Sequence, residues 1–212
     1  SDAPAVASAL VSAVLGFLEG SAFGAPELRS VELELEGVER IAESELIAAV
    51  PERRMVTPGE ELGVRLRLRS RGGEILTRRV VVPVPTWVGA GRLDLVVADG
   101  ASWTQYDMAM RPLAPASFAD ELEVLERMLG PTRLVVALEA RESGLVLEGG
   151  TVAAPPSMVV ARAAAFGGTP RTFTHRVVSR ELETFRWPVR AAERIHLVVR
   201  QPGARHGAGE EK

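Results

Sequence analysis

The chain has no cysteine and no asparagine among its 212 residues, and it has one lysine (Lys212) and three histidines: His175, His196 and His206. The missing cysteine excludes disulfides, thiolate metal sites and cysteine nucleophiles. The histidines are not clustered, and no H-E-x-x-H, G-x-S-x-G or G-x-x-x-x-G-K-[ST] motif is present. We therefore predict no metal ligands, no cofactor and no catalytic residues, with His175 and His196 as solvent-facing or hydrogen-bonded structural side chains.

The chain also lacks a long hydrophobic run and an excess of basic charge. No apolar run approaches the ~18 residues that a membrane-spanning helix needs, so no transmembrane segment is predicted. The net charge is -3, which argues against nucleic-acid binding because displacing counterions requires a net basic surface. With 46% hydrophobic and 25% charged residues, the composition is that of an ordinary soluble globular protein.

The most apolar segment, residues 5–18 (AVASALVSAVLGFL), has two interpretations. It has the length of a signal-peptide core, but no basic residue precedes it. Leu10, Val14 and Phe17 recur at helical spacing, so we favour a docked helix, followed by a linker, in residues 1–27.

Residues 28–110 are predicted to form a β-sandwich-like unit. Residues 31–36 (VELELE) and 62–69 (LGVRLRLR) alternate between apolar and charged side chains, which is typical of half-buried strands. A three-residue loop at 71–73, with glycine at the positive-φ position, would pair Leu68 with Leu76. Further pairs in this register are Val64 with Val80, Leu62 with Val82, and Arg65 with Arg79.

A polar stretch with two large aromatic residues follows the strand predicted at 93–97. Trp103 and Tyr106, close to Asp107, form a possible stacking platform for a sugar or peptide if this stretch is a loop. Packing at the edge of the core is the favoured alternative. Trp103 and Tyr106 are nevertheless the residues that we select as a candidate ligand or partner surface.

The clearest helix is predicted at 117–129, inside a connecting segment of residues 111–131. Ser117 is a strong N-cap residue, and an acidic first turn follows it. Residues 132–200 are predicted to form a second β-rich unit, in which residues 155–165 fit either a helix or an edge strand. Residues 201–212 are expected to be a disordered tail.

A stripe of arginines is the strongest charge feature: Arg65, Arg67, Arg69, Arg78 and Arg79. One interpretation is a site for an anionic ligand or a nucleic-acid backbone. We favour the other, in which the 31–36 strand lies beside 62–69 and supplies Glu32, Glu34 and Glu36 as cross-strand partners. Such exposed pairs contribute only a few tenths of a kcal/mol each, so they would serve solubility and register.

Several segments, in this order, resemble the C-terminal, non-catalytic region of bacterial proteins that carry a SpoIVB-type serine peptidase domain. The matching segments are LGFL at 15–18 through Phe23, VTPGE at 56–60, VRLRL at 64–68, RGGE at 71–74, VPVP at 82–85 to Gly91, the helix at 117–129 and PPSMV at 155–159. The similarity extends over about residues 10–200. In that family the peptidase half carries the catalytic serine and histidine, and neither motif is present here.

The resemblance implies an accessory module of an exported bacterial protein, located in the periplasm or associated with the cell envelope. Together with the patterns, it predicts a mostly β (α+β) fold of antiparallel β-sandwich-like units with an N-terminal helix and one central helix. We expect a non-catalytic interaction module that packs against other domains of a parent protein or against a protein partner. Alternatives are a carbohydrate- or peptide-binding module and a hydrolase whose site the sequence does not reveal. The oligomeric state is left open.

Overall fold

The structure, a computed structural model, describes residues 3–24, 27, 29–30, 32, 43–110, 117–147, 150–153, 155–165 and 171–201. The helices in these residues are α1 (Ala3–Glu19), α2 (Gly100–Met110), α3 (Phe118–Glu126) and α4 (Ser157–Ala165). The strands are β1 (Ser44–Pro51), β2 (Met55–Val56), β3 (Glu61–Ser70), β4 (Ile75–Pro83), β5 (Gly91–Asp99), β6 (Arg133–Leu147), β7 (Gly150–Ala153), β8 (Arg171–Thr184), β9 (Val189–Arg190) and β10 (Ala192–Val199). The predicted mostly β fold is confirmed.

The described strands form two sheets. The four-stranded sheet has the order β4-β3-β1-β9, and the six-stranded sheet has the order β2-β10-β5-β6-β7, with β8 also paired to β6. The long strands pair antiparallel. Parallel pairing within the described strands is confined to the two-residue strands β9 and β2, which join β1 and β10.

One hydrophobic core lies between the two sheets, because alternate side chains of both point inward. The four-stranded sheet supplies Leu62, Val64, Leu66 and Leu68, and the six-stranded sheet supplies Leu93, Leu95, Val97, Leu134, Val136, Leu138, Ile195, Leu197 and Val199. The expected division into sandwich units at 28–110 and 132–200 is therefore wrong. Strand β5, from the first predicted unit, lies between β10 and β6 from the second, so both segments share one sheet and one core.

The β3–β4 hairpin has the predicted register. Leu68 pairs with Leu76, Val64 with Val80, and Arg65 with Arg79. Gly73 has φ +86°, so the positive-φ position of the three-residue loop is occupied by glycine as expected. The alternation of residues and one turn were sufficient to predict this element.

The helices bear out some predictions and correct others. Ser117 caps α3 by accepting a hydrogen bond from the Asp120 backbone N–H, and residues 157–165 are helical, which decides the alternative that the sequence left open. In α1 the helix is confirmed, but Val14 and Phe17 are exposed, so the expected docking of its apolar stripe is not seen at these side chains.

None of the described helices is long and apolar enough to cross a membrane. The tail at 202–212 and, except for Glu32, the predicted strand at 31–36 lie outside the described residues.

The stretch at 101–110 is the helix α2, not the predicted loop. Asp99 begins it by accepting hydrogen bonds from the backbone N–H and the hydroxyl of Ser102. The buried positions of α2, which are Gly100, Trp103, Thr104 and Asp107, have helical spacing, but only one of them is strongly apolar. Hydrophobic periodicity therefore gives no signal for this helix. It packs on the outer face of the six-stranded sheet, where a second core contains Val96, Ala98, Trp103, Val135 and Ala137.

Candidate functional site

Trp103 and Tyr106, the two residues selected from the sequence, lie on α2 and face the sheet. Trp103 is only 1% exposed, so its ring is inaccessible to a ligand. The ring of Tyr106 lies 5.9 Å from that of Trp103, and its hydroxyl donates a 2.7 Å hydrogen bond to Glu139. The stacking platform is therefore corrected to a packing contact, because α2 turns both rings toward the protein.

Tyr106 belongs to a polar network on the outer face of the six-stranded sheet. Asp94 on β5 and Glu139 on β6 are direct cross-strand partners, and both are 2% exposed. Like charges placed opposite each other repel. Arg194 on β10 bridges them, with Nη1 3.2 Å from Asp94 Oδ2 and Nη2 3.2 Å from Glu139 Oε2. The guanidinium also lies 5.2 Å from the centre of the Tyr106 ring.

His196 and Arg92 complete the network beside Asp94. The Nδ1 atom of His196 lies 2.7 Å from Asp94 Oδ1, and Arg92 Nε lies 3.0 Å from the same oxygen. The Nη2 atom of Arg92 lies 2.6 Å from Nδ1 and 2.8 Å from Nε2 of His196, so the guanidinium group contacts both nitrogens of the ring. Both ring nitrogens are then engaged, and no serine in the described part of the chain hydrogen-bonds to His196. His196 is thus a hydrogen-bonded histidine without the geometry of a catalytic triad.

The two carboxylates have pKa values displaced in opposite directions. Burial raises the pKa of Asp94, but hydrogen bonds from His196 and the two arginines outweigh it, and the net pKa is about 2. Burial raises the pKa of Glu139, because Tyr106 and Arg194 compensate only part of its lost hydration. Burial and the hydrogen bond to Glu139 raise the pKa of Tyr106 to about 12. Tyr106 therefore remains a hydrogen-bond donor at neutral pH.

A carboxylate pair with separated pKa values is an arrangement that acid–base catalysis uses. Here the acidic side chains are closed in by the chain's own donors: the side chains of Asp94 and Glu139 are 3% and 1% exposed. A substrate would have to displace those donors before reaching either acid. No group of three or more histidine, aspartate or glutamate side chains in the described ranges is arranged to hold a metal ion. The network's evident effect is to fasten β5, β6, β10 and α2 together.

Two surface clefts lie outside this network. One, of about 330 Å³, is at the β3–β4 loop and is lined by Glu43, Glu45, Arg69, Arg71 and Arg190, among others. The other, of about 550 Å³, lies between α2, α3 and β8 and is lined by Asp107, Glu123, Glu126, Arg127 and Arg180, among others. Neither cleft is lined by a carboxylate or an arginine of the network.

The arginine stripe lies on the outer face of the four-stranded sheet. Arg65, Arg67 and Arg69 alternate with the core residues of β3, and Arg79 is the cross-strand partner of Arg65. Arg78 is not part of this stripe, because it pairs with Leu66 and so lies on the other face of the sheet. We call the outer-face residues Arg65, Arg67, Arg69 and Arg79 the arginine face.

The predicted acidic neighbour of the arginine face is corrected. Strand β3 pairs with β4 on one side and β1 on the other, so β1, and not the segment at 31–36, lies beside it. Strand β1 and the residue after it bring only two carboxylates to the arginine face. Glu45 lies 3.0 Å from Arg69, and Glu52 lies 2.7 Å from Arg79.

The Glu52–Arg79 pair depends on a glycine in β3. A side chain at Gly63 would begin 2.3 Å from the Glu52 carboxylate, so glycine leaves the space in which that carboxylate reaches Arg79. The hydrogen bond from Arg79 lowers the pKa of Glu52 even though burial opposes it, and it raises the pKa of Arg79. The ion pair occupies one end of the arginine face.

Arg65 and Arg67 at the centre of the arginine face are exposed, and neither hydrogen-bonds to a carboxylate of any described residue. Aliphatic side chains surround them on the same sheet: Ile47, Val50 and Ile75 are 38%, 49% and 46% exposed. Val50 lies directly beside Arg65 in the ladder. The face thus combines exposed arginines with exposed apolar surface, on a chain whose net charge is -3.

Sequence reasoning selected the arginines but missed Asp94, Glu139 and Arg194. A signal for two of them was present: Asp94 interrupts the apolar run at 93–97, and Glu139 follows the apolar run at 134–138. A lone acid beside or within a fully apolar strand must either lie at an exposed end or find partners. Which partners it finds depends on strands about 45 and 100 residues away along the chain.

Comparisons with known proteins add no family assignment. The chain matches no protein-family model, no curated protein and no solved structure. The resemblance to the non-catalytic region of SpoIVB-type peptidase proteins therefore stays a prediction.

Proposed function

We propose that this chain is a non-catalytic interaction module that docks an acidic protein surface on its arginine face. The observation that carries the proposal is the pair Arg65 and Arg67. Both are exposed and neither hydrogen-bonds to a carboxylate of a described residue, although the charge of Glu52 attracts Arg65, and the exposed side chain of Val50 lies beside Arg65. Arginine and apolar side chains together are typical of the centre of protein interfaces. The core lies on the other face of this sheet, so the exposed aliphatic side chains contribute little to folding.

The enclosure of the acidic network among the described residues supports the non-catalytic part of the proposal. Asp94 and Glu139 are enclosed, and both ring nitrogens of His196 are engaged by Asp94 and Arg92. A ligand platform at Trp103 has little support, because the ring is buried. The hydrolase and carbohydrate-binding alternatives therefore have less support than docking of a protein.

The resemblance supports a more specific proposal: the chain is an accessory module of an exported bacterial peptidase-like protein in the periplasm or cell envelope. Its partner would then be another domain of the same parent protein. The complete open reading frame tests this part directly. An adjoining serine peptidase segment is the expected result, and a frame without one contradicts the parentage.

Docking itself is tested by expressing that adjoining domain separately and measuring its binding to this chain by calorimetry. Arg65→Glu/Arg67→Glu reverses the charges of the two central arginines of this face. Arg180→Glu/Arg200→Glu makes the same change in net charge at exposed arginines on or beside the six-stranded sheet. We expect the first variant to weaken binding about tenfold or more and the second by less than about twofold. Equal losses in both variants, or no loss in the first, would overturn docking on the arginine face.

A further inference from the structure

The spacing of Arg65 and Arg67 defines which ligand can bind both of them. Arg65 and Arg67 lie at alternate positions of β3 and on the same face. Same-face side chains of a strand repeat at about 6.8 Å, which is twice the rise per residue. An extended segment with carboxylates at positions i and i+2 repeats at the same distance on one of its own faces. Two carboxylates of such a segment can therefore meet both arginines without distortion.

The carboxylates already on the arginine face limit how many negative charges a ligand can place against it. Glu45 is bound to Arg69 at one end, and Glu52 is bound to Arg79 at the other. Glu61 lies on the same face of β3 at the second end, and its charge also attracts Arg79. A ligand with a continuous run of negative charge would place some of that charge against Glu45 and Glu52. A ligand with only two carboxylates would avoid both. This disfavours a nucleic-acid backbone, which carries an uninterrupted series of charges.

The apolar side chains beside the arginines indicate what flanks the two carboxylates. Val50 and Arg79 are the ladder neighbours of Arg65, while Ala48 and Thr77 are those of Arg67. Aliphatic or small side chains thus border the arginines, together with the stems of the arginines themselves. Such surroundings suit a polypeptide and leave the strongly hydrated charges of a polyanion poorly solvated.

We infer that the occupant of the arginine face is an extended acidic segment of a protein partner, in which two carboxylates two residues apart bind Arg65 and Arg67. This inference rests on the proposed function, since it specifies which acidic surface the module docks. It states a geometric requirement that general attraction between opposite charges does not impose.

The experiment is an NMR titration of the isotope-labelled protein, because two exposed ion pairs bind weakly and NMR detects weak binding. The probes are the peptide GSTVEVEVTSG, its isomer GSTVVEEVTSG with adjacent acids, and a single-stranded DNA oligonucleotide. In an extended chain the isomer directs its two carboxylates to opposite faces. We expect the alternating peptide to shift the side-chain Nε–Hε signals of Arg65 and Arg67, with a Kd about threefold lower than that of the isomer.

Variants then separate this inference from the proposed function. Arg65→Gln/Arg67→Gln should abolish the shifts, and Arg180→Gln/Arg200→Gln should leave them unchanged, with the backbone spectrum of each confirming its fold. Equal Kd values for the two peptides, both lost in the first variant, would overturn the alternating geometry and leave docking on the arginine face standing. No peptide shifts at the arginines, or tighter binding of the oligonucleotide, would overturn the inference outright. If the adjoining domain also binds the Arg65→Glu/Arg67→Glu variant as it binds the wild type, the proposed function fails as well.

Discussion

Asp94→Asn and Glu139→Gln each remove one buried negative charge from neighbouring positions of the same ladder, yet we expect them to affect stability very differently. The pKa of Asp94 is lowered, which means that the folded protein favours its ionised form. The pKa of Glu139 is raised, which means that the folded protein disfavours its ionised form. The two substitutions therefore test whether this network stabilises the fold through one acid or through both.

The magnitude for Asp94 follows from its pKa. The difference between the ordinary value of 3.8 and the value of about 2 corresponds to about 2.5 kcal/mol. Its partners Arg92 and His196 have side chains that are 43% and 58% exposed, so solvent screens part of their attraction. We expect Asp94→Asn to lower the free energy of unfolding by about 1–2 kcal/mol at pH 7.

Glu139→Gln should cost less than Asp94→Asn or even stabilise the protein. The amide oxygen of glutamine can still accept the hydrogen bond from Tyr106, so that donor is not left without a partner. The substitution removes the repulsion from Asp94 and the cost of keeping a buried carboxylate ionised. It also weakens the contact with Arg194, which retains Asp94 as a partner.

The pH dependence gives a second test with a defined sign. A lowered folded pKa contributes stability that is complete above the unfolded value of 3.8 and is lost as the pH falls toward the folded value of about 2. The difference in stability between the wild type and Asp94→Asn should therefore be constant at neutral pH, shrink below pH 3.8 and be small near pH 2.

Urea denaturation followed by far-UV circular dichroism, at several pH values between 2 and 7, measures both effects. The reasoning is refuted if Glu139→Gln is more destabilising than Asp94→Asn at pH 7. It is also refuted if the difference in the free energy of unfolding between Asp94→Asn and the wild type is as large at the acidic end of the series as at pH 7.

Two further predictions concern the hairpin and the sheet that carries the arginine face. Gly73→Ala should lower the free energy of unfolding by about 1 kcal/mol, because Gly73 has φ +86°. Gly89→Ala is its control, since a Cβ there meets nothing within 4 Å and no positive φ is involved; equal losses in thermal denaturation would contradict the backbone explanation. Leu66→Ala should cost about 2–5 kcal/mol because Leu66 is fully buried, whereas Val50→Ala, at an exposed position of the same sheet, should cost less than about 0.5 kcal/mol. A large loss for Val50→Ala in urea denaturation would mean that the exposed aliphatic surface stabilises the fold.

Local patterns predicted much of the fold because they depend on neighbours in the chain. The β3–β4 register follows from alternation and from one glycine turn, and the start of α3 follows from the Ser117 cap. Helix α2 was missed because the side chains it buries include Thr104 and Asp107, which a hydrophobic pattern does not mark. An element was predicted correctly where residues close together in the chain determine it, and it was missed where they do not.

The candidate sites likewise depend partly on local sequence and partly on contacts between distant segments. The sequence by itself determined that Arg65, Arg67 and Arg69 share one face of a strand, because successive side chains of a strand alternate. Only the tertiary structure decided that β1 and β4 are the two strands that pair with it. It also decided that strands from both halves of the chain share one core and that Arg194 bridges Asp94 and Glu139. The physical reason is that strand pairing between distant segments is chosen by burial of the whole core, and an alternating pattern in one strand does not specify which neighbour it will have.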